Sequence, residues 1–571
     1  MTGFEPANKS PESPTANNLA SRDKPSFFRG SRMTPVVRLY WLITLLLLPL
    51  SAGWLLSSSE GSLALDDLSD APLALTVFLA CLAWALIGGY ELLFCISNLR
   101  RNYPVLANIR YALEYIRPEI QQYFIANNVE EKPFSRERRN LIYRRAKSTS
   151  DTLPFGTEQE IVAEGYRSLT HSMVVKKVAE ENMRVDFGGT ECQKPYSASR
   201  LNISAMSFGA LSSNAIAALN KGAALGKFCH NTGEGGMSKY HLAHGGDIIW
   251  QIGTAYFGCR NKDGSFNDEA FAKRAGNDVV KMIEIKLSQG AKPSHGGVLP
   301  GAKVTQEIAE IRLVEVGKTV NSPPTHPEFE TPKGLLAFVQ RLRKLSGGKP
   351  VGFKLCLGKK VEFMAIVKAM LETKVLPDFI TIDGAEGGTG AAPVEFSNRL
   401  GTPCIEATYY INQVLIGAGL RDQIRLISAG QTATGFDMLE KIIVGADTVN
   451  AARSMMMALG CVQAKACNTN NCPTGIATQN SSRAKAIDVD EKSIRVKNFH
   501  GATVHAFMEL CGAMGFSNPD NLSPSDLFSR FEGRAKNFDE IYEALVEKQL
   551  HTDNIPNSYR DDWHNASADH F

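Results

Sequence analysis

Val351–Gly390 reads VGFKLCLGKKVEFMAIVKAMLETKVLPDFITIDGAEGGTG. An apolar, β-prone run (Val351 to Leu355) is followed by a helical pattern (Lys360 to Thr373), a second such run (Phe379 to Asp383) and a glycine-rich loop. Strand, long crossover helix, strand and loop is the unit of a parallel α/β fold. The same alternation extends outward from Leu201 to about Leu459. Further strands are predicted at Leu201 to Ala205, Phe228 to Asn231, Met282 to Leu287, Thr319 to Ser322, Arg425 to Ala429 and Thr448 to Ala451. Helices are predicted at Ser212 to Leu225, Val304 to Val314, Lys333 to Leu345, Ile405 to Ala418 and Gly435 to Val444. Eight strands over roughly 250 residues match a (β/α)8 TIM barrel, whose chemistry sits in the loops after the strands. An open doubly wound sheet is the alternative. It fits less well, because polar and glycine-rich segments follow several different strands and no GxGxxG follows the first.

Those loops hold the candidate chemistry. Ser204, Ala205, Met206 and Ser207 follow the first strand and offer small residues and free amides to a flat ring. The loop NTGEGG (231–236) carries Glu234, and GAKPSHGGVLPG (290–301) carries Lys292 and His295. Lys354 stands near the end of the fifth strand. Asp383, Gly384, Gly387, Gly388 and Gly390 form a loop that a ligand can approach closely. Gly430 and the turn Ala451, Ala452, Arg453, Ser454 occupy the usual phosphate position of this architecture. Taken singly, such glycines are mostly turns, and a lone lysine or histidine is more often solvated or structural than catalytic.

Cys461, Cys467 and Cys472, the last followed by Pro473, close this stretch. Soft thiolates separated by turn-formers suit an iron-sulfur cluster. Three local ligands point to a three-iron cluster, a four-iron cluster with an open iron, or a distant fourth ligand. A zinc site, or three unrelated buried cysteines, remain the alternatives, although the paired CxxC spacing of zinc is absent.

At 571 residues and 44% hydrophobic composition the chain has length for one large catalytic domain with accessories. A formal charge of +3, from 62 basic and 59 acidic residues, gives no reason to expect nucleic acid as a partner. Eleven thinly spread cysteines fit reduced thiols rather than a disulfide scaffold. Residues 1–35, rich in Ser, Pro and Asn, are expected to be a disordered leader. Val36 to Leu56 and Ala71 to Ile96 are each long enough to cross a bilayer, which takes about 20 apolar residues, and together form a predicted transmembrane hairpin (36–96). A signal peptide is the alternative for the first. Arg22, Lys24, Arg29, Arg32 and Arg38 before the hairpin, Arg100, Arg101 and Arg110 after it, and Glu60, Asp66, Asp67 and Asp70 within its connection predict cytoplasmic ends. Glu91 is expected to reach water at the boundary. A basic, partly amphipathic connector (97–195), expected as a solvated helical collar with a membrane-surface or partner role as the alternative, joins hairpin to barrel (196–480), and a helical extension (481–571), with a helix at Val496 to Met514, is read as packing and oligomer surface.

The chain resembles the FMN-binding synthase domain of glutamate synthase over about Leu201 to Gln479. The resemblance is carried by SAMSFGALS (204–212), GEGG (233–236), EIKLSQGAKP (284–293), DGAEGGTGAAP (383–393) and CNTNNCPTGIATQ (467–479) in family order. It implies a TIM barrel holding FMN beside a three-iron, four-sulfur (3Fe-4S) cluster on Cys461, Cys467 and Cys472. It also implies that Ser204 to Ser207 face the flavin ring, that Lys354 lies by the N1 and C2 carbonyl edge, and that Asp383, Gly384, Gly387, Gly388, Gly390, Gly430 and Ala451 to Ser454 surround the phosphate and ring. Lys292 would contact a 2-oxo acid carboxylate, and Glu234 would stand near the ammonia entry. The implied reaction is reduction of 2-iminoglutarate, formed from 2-oxoglutarate and ammonia, to L-glutamate. Electrons would come from an external ferredoxin, NAD(P)H-oxidising subunit or quinol, at the cytoplasmic face of the inner membrane. His295 and Val298 depart from the Glu and Gln common in the family, so another small substrate, or electron relay at the membrane, is the second expectation. No amidotransferase cysteine, glycine-repetitive β-helix or NAD(P) motif is recognisable, so ammonia and electrons are expected from partners.

Overall fold

The computed structural model describes residues 33–59, 61 and 71–571. The leader's first 32 residues, with Arg22, Lys24, Arg29 and Arg32, lie outside the described residues, as do Glu60, Asp66, Asp67 and Asp70. The chain divides into two compact bodies, Met1–Ala126 and Asn127–Phe571. The expected collar is therefore split between them, and the carboxy-terminal extension belongs to the second.

In the first body, helices Pro35–Ser58 and Pro72–Leu93 are long and apolar enough to cross a membrane. Thr34 caps the first by accepting a hydrogen bond from the Val37 amide, with Pro35 at the first helical position. The pair closes where Tyr40 donates to the Ala85 carbonyl at 2.8 Å. Its ring lies over Gly88, where a Cβ would fall 2.2 Å from a ring carbon. Glu91 departs from expectation. It is 3% exposed, and its carboxylate accepts from the Val105 amide and from Asn108 Nδ2, each at 2.6 Å. The chain folds back to satisfy a carboxylate that would otherwise be buried unpaired.

The second body is a closed barrel of eight parallel strands in sequential order. These are β1 Leu201–Ile203, β2 His230–Asn231, β3 Ile248–Ile252, β4 Val280–Lys286, β5 Val351–Leu355, β6 Phe379–Asp383, β7 Arg425–Ala429 and β8 Thr448–Ala451. Strand alternation sorts the interior into layers. Toward the amino end Cys229, Ile249, Met282, Phe379 and Ile427 form an apolar plug. The antiparallel ribbon Arg184–Phe187 and Tyr196–Ser199 covers it, with Phe187 edge-on to Phe379 at 5.8 Å. Two residues further along, the layer turns polar. Glu284 Oε1 accepts from Asn231 Nδ2 (2.8 Å) and Gln251 Nε2 (2.7 Å), and its Oε2 accepts from Thr381 (2.6 Å). The barrel interior is thus apolar toward its amino end and polar toward its carboxyl end.

One predicted strand is wrong and one was missed. Thr319 to Ser322 is not in the barrel: Val320–Asn321 pairs antiparallel with Val298–Leu299. This ribbon and the helix Gln306–Arg312, shorter than the predicted Val304 to Val314, form an excursion after β4. The true third strand is Ile248–Ile252. Only the four-residue helix Lys239–Leu242 separates it from β2, so the rhythm of strand and full-length helix is broken there.

The collar is not solvated throughout. Ser135 caps the helix Arg136–Ala146, and Phe134, Ile142 and Ala146 are buried in the barrel's core cluster. Arg138 donates to Asp437 and to the Gln431 carbonyl, each at 2.6 Å. Gln463 reads both the amide and the carbonyl of Phe134, at 3.1 and 3.0 Å. In the extension, helix Val489–Ala513 packs on Ser213–Gly226, with Gly222 leaving room for Val496, which a Cβ would approach to 2.8 Å.

Candidate active site

The loops after the strands enclose a cavity of about 210 Å³ at the carboxyl end of the barrel. Ala205, Met206, Ser207, Glu234, Lys292, Gly388, Gly390, Ala452, Arg453 and Cys467 line it. A smaller cavity of about 50 Å³ adjoins, lined by Ser204, Lys354, Asp383, Gly387, Gly430 and Ser454 together with Ala205, Gly388, Ala452 and Arg453 from the first. Sequence-distant residues are thus brought to one place. Gly384, Ala451 and His295 line neither cavity. Ala451 instead accepts from the Ser204 amide at 2.9 Å, locking β8 to the loop after β1. Gly384 gives its carbonyl to the Gly387 amide at 2.8 Å, and His295 sits edge-on to Phe396.

Two loops touch backbone to backbone here. A Cβ on Gly290 would lie 1.6 Å from the Gly384 carbonyl oxygen, while the Gly290 amide donates to Asp383 Oδ2 at 3.1 Å. Gly290→Ala is therefore expected to cost about 1–3 kcal/mol through overpacking, read as a lowered Tm. An unchanged Tm would show that the two loops are not in contact.

The larger cavity holds a compact set of charges. Lys286 Nζ pairs with Glu234 Oε1 at 2.8 Å. Burial works to raise the Glu234 carboxyl, but Lys286, Lys292 and Arg312 together hold it below its usual range. Lys292 is 2% exposed; burial depresses it to about 8 against the attraction of Glu234. Arg312, pushed down to about 10 by burial, donates to the Phe208 carbonyl at 3.1 Å. In the smaller cavity Lys354 pairs with Asp383 at 3.1 Å. Burial opposes its charge, but Asp383 and Glu284 outweigh that and raise the amine. Such a site can bind an anion, and it holds a buried cation, Lys354, against Asp383.

Several residues escaped the sequence reading. Gln251 lines both cavities from the missed strand. Phe134 lines the smaller one from the collar, and Arg453 stands over its ring at 5.3 Å. Asn450 also lines it, 1% exposed, and among the described residues neither its side-chain oxygen nor its nitrogen has a hydrogen-bond partner. A buried amide left open on both atoms is a place prepared for a polar ligand. Two-residue alternation along β8 was the available signal for Asn450, since it shares a parity with Ala452.

The cysteine loop wraps back toward the larger cavity. Gln463, Lys465 and Asn470 take left-handed backbone, and Asn470 ties the loop down through Gln479 and Ala302. Burial pushes the Cys461 thiol up to about 11 and raises Cys467. Cys472 differs. Burial would raise it, but the Thr474 hydroxyl and the amides of Ala477, Thr474 and Ile476 lower it. Lys303, anchored on the Ala210 and Ala477 carbonyls at 3.0 and 2.9 Å, adds a cation felt by Cys467 and Cys472. Among the described residues no three His, Cys, Asp or Glu side chains are close enough to hold a single metal ion. A cluster gives each thiolate its own iron and takes ligands standing further apart.

A conserved region in glutamate synthase matches residues 144–517 of this chain. The chain belongs to the glutamate synthase family. Within that family, the glutamate synthase large subunit-like protein YerD of Bacillus subtilis is 37% identical over 490 residues, 79% of this chain and 93% of YerD. The archaeal glutamate synthase [NADPH] of Methanocaldococcus jannaschii is 35% identical over 321 residues, 56% of this chain and 60% of that protein. The chain thus spans most of the first relative but less than two thirds of the second. Among solved structures, mandelate oxidase with a difluorinated hydroxy acid aligns at 14% identity and a TM-score of 0.36, over 72% of this chain and 96% of its own. The glutamate synthase homologues make this chain a glutamate synthase-like oxidoreductase.

Proposed function

We propose that this chain is a membrane-anchored glutamate synthase-like enzyme that reductively aminates 2-oxoglutarate to L-glutamate with ammonia or a partner-supplied amide nitrogen. The observation that carries it is the convergence of Ser207, Glu234, Lys292, Gly390, Arg453 and Cys467 on one cavity. FMN, when bound, supplies hydride to the substrate carbon, and a 3Fe-4S cluster on Cys461, Cys467 and Cys472 supplies single electrons.

The protein's own groups supply position and charge. Lys354, held protonated by Asp383, stands where it can stabilise negative charge at the ring edge. Asn450, open at both side-chain atoms among the described residues, and Gln251, whose Nε2 is bonded to Glu284, would hold polar atoms of a bound flavin, and Gly430, Ser454 and Arg453 would line a small anion pocket. Lys292 pairs with a substrate carboxylate. Glu234, kept ionised by Lys286, faces the same cavity and can accept a hydrogen bond from ammonia, leaving the nitrogen lone pair free for the carbonyl carbon. Arg38 before the hairpin and Arg100, Arg101 and Arg110 after it support a cytoplasmic catalytic body at the inner membrane. The electron donor is proposed to be an external ferredoxin, NAD(P)H-oxidising subunit or quinol.

Val298 favours a second reading: it lines the larger cavity with an apolar side chain, as a less polar oxo acid would require. One experiment separates the readings. Purified protein is reduced with dithionite under argon, ammonium and a panel of 2-oxo acids are added, and flavin reoxidation and amino-acid product are followed. Reoxidation by 2-oxoglutarate with glutamate formed is expected. Reoxidation by a different oxo acid alone selects the second reading, and none by any oxo acid defeats both.

A further inference from the structure

Helix Ala107–Ile120, continued by the π turn Gln121–Ile125, carries an apolar stripe in the first body. Ile109, Leu113, Ile116, Ile120 and Phe124 recur at i, i+4, i+7, i+11 and i+15, so they share one face. They are 60, 57, 43, 37 and 84% exposed. Single exposed apolar residues are ordinary, but five in one contiguous row mark an interaction surface.

Where the stripe begins decides what covers it. Glu91, in the last turn of Pro72–Leu93, holds the Val105 amide and Asn108 Nδ2, each at 2.6 Å. The first turn of the amphipathic helix is thereby fastened to the end of a helix long and apolar enough to span a bilayer. A spanning helix ends where acyl chains meet headgroups, and at that depth an amphipathic helix lies flat. Charge fits as well. Arg110 and Arg117 border the stripe, and over residues 91–125 four arginines (100, 101, 110 and 117) stand against three glutamates (91, 114 and 119); Arg100 pairs with Glu91 and Arg110 with Glu114, which leaves Arg101 and Arg117 for anionic lipid.

We infer that residues 107–125 lie in the plane of the lipid surface as a third membrane element, the stripe sunk toward the acyl chains and the arginines among the headgroups. This rests on the reading that the two preceding helices span the membrane. The test is photocrosslinking of the full chain in its native membrane, with p-benzoylphenylalanine in place of Ile116 and, separately, of Glu114 on the polar face. Resistance of both proteins to alkaline carbonate extraction is measured alongside. The expected result is a lipid-sized mass gain on the Ile116 peptide, absent from the Glu114 peptide, with both proteins retained in carbonate. Retention with no lipid adduct at 116, or with a crosslinked dimer or other protein there, overturns the inference and leaves the spanning hairpin intact. Loss of the protein into the carbonate supernatant overturns the spanning reading itself.

Discussion

Lys292→Ala raises the KM for 2-oxoglutarate about 10- to 100-fold while the flavin stays bound. That range corresponds to losing one charge-assisted hydrogen bond of about 1.5–3 kcal/mol to a substrate carboxylate. Flavin retention is expected because Lys292 lines the larger cavity and not the smaller one, and because Lys286 still pairs with Glu234. The wild-type pH profile carries the same signature. Burial depresses the Lys292 amine to about 8, so it is a cation below that pH and loses its charge above it. The wild-type KM should therefore climb as pH rises through about 8, whereas the alanine variant, with no amine to titrate, should lack that step. Unchanged KM in the variant, or an identical step in both proteins, removes Lys292 from the substrate site.

Cys472→Ala abolishes the iron-sulfur centre and leaves the flavin. Metal ligands bind as thiolates, and of the three cysteines Cys472 alone is held below its usual range, by the Thr474 hydroxyl and neighbouring amides working against burial. Removing it takes away the ligand readiest to ionise. Iron and acid-labile sulfide should be lost and the visible absorption should become that of flavin alone. Turnover with an external donor should fall by several orders of magnitude, while dithionite-reduced flavin is still reoxidised by substrate. The conservative change Thr474→Val, which keeps the sulfur but drops the 3.4 Å hydroxyl contact, should retain the centre with a shifted potential. Iron content unchanged in Cys472→Ala would dismiss the cluster at this loop.

The barrel was legible because its strands are buried on both faces and its helices are long, so the two patterns separate cleanly in VGFKL, FITID and RLISA. The same criterion failed where the topology breaks its rhythm. Ile248–Ile252 is a short apolar run with only a four-residue helix before it, and TVNS (319–322) has the composition of a strand although its middle residues pair in a ribbon over the site. Local composition does not distinguish a barrel strand from a ribbon in a loop, since both are satisfied by β-prone residues and differ only in their partner.

Glycine-rich loops, the lysines within them and the cysteine spacing could be read directly, because backbone freedom and ligand chemistry are properties of individual residues. Asn450, Gln251 and Phe134 could not, since their importance lies in what surrounds them. Asn450 matters because no group among the described residues completes its amide, and Phe134 because Gln463, more than three hundred positions away, reels it into the cavity. Glu91 shows the same limit in the first body: its spacing within an apolar helix suggests a charge seeking water, and only the returning chain reveals a carboxylate already satisfied. Sequence by itself determined the parallel α/β architecture, the two long apolar helices and the residue types gathered at the strand ends, because these follow from periodicity, length and chemistry along the chain. Tertiary structure alone decided which strand is third, which loops meet and which charges share a cavity. Burial, and the partners found there, come from segments distant in the chain, and they govern whether a side chain is paired, ionised or left open.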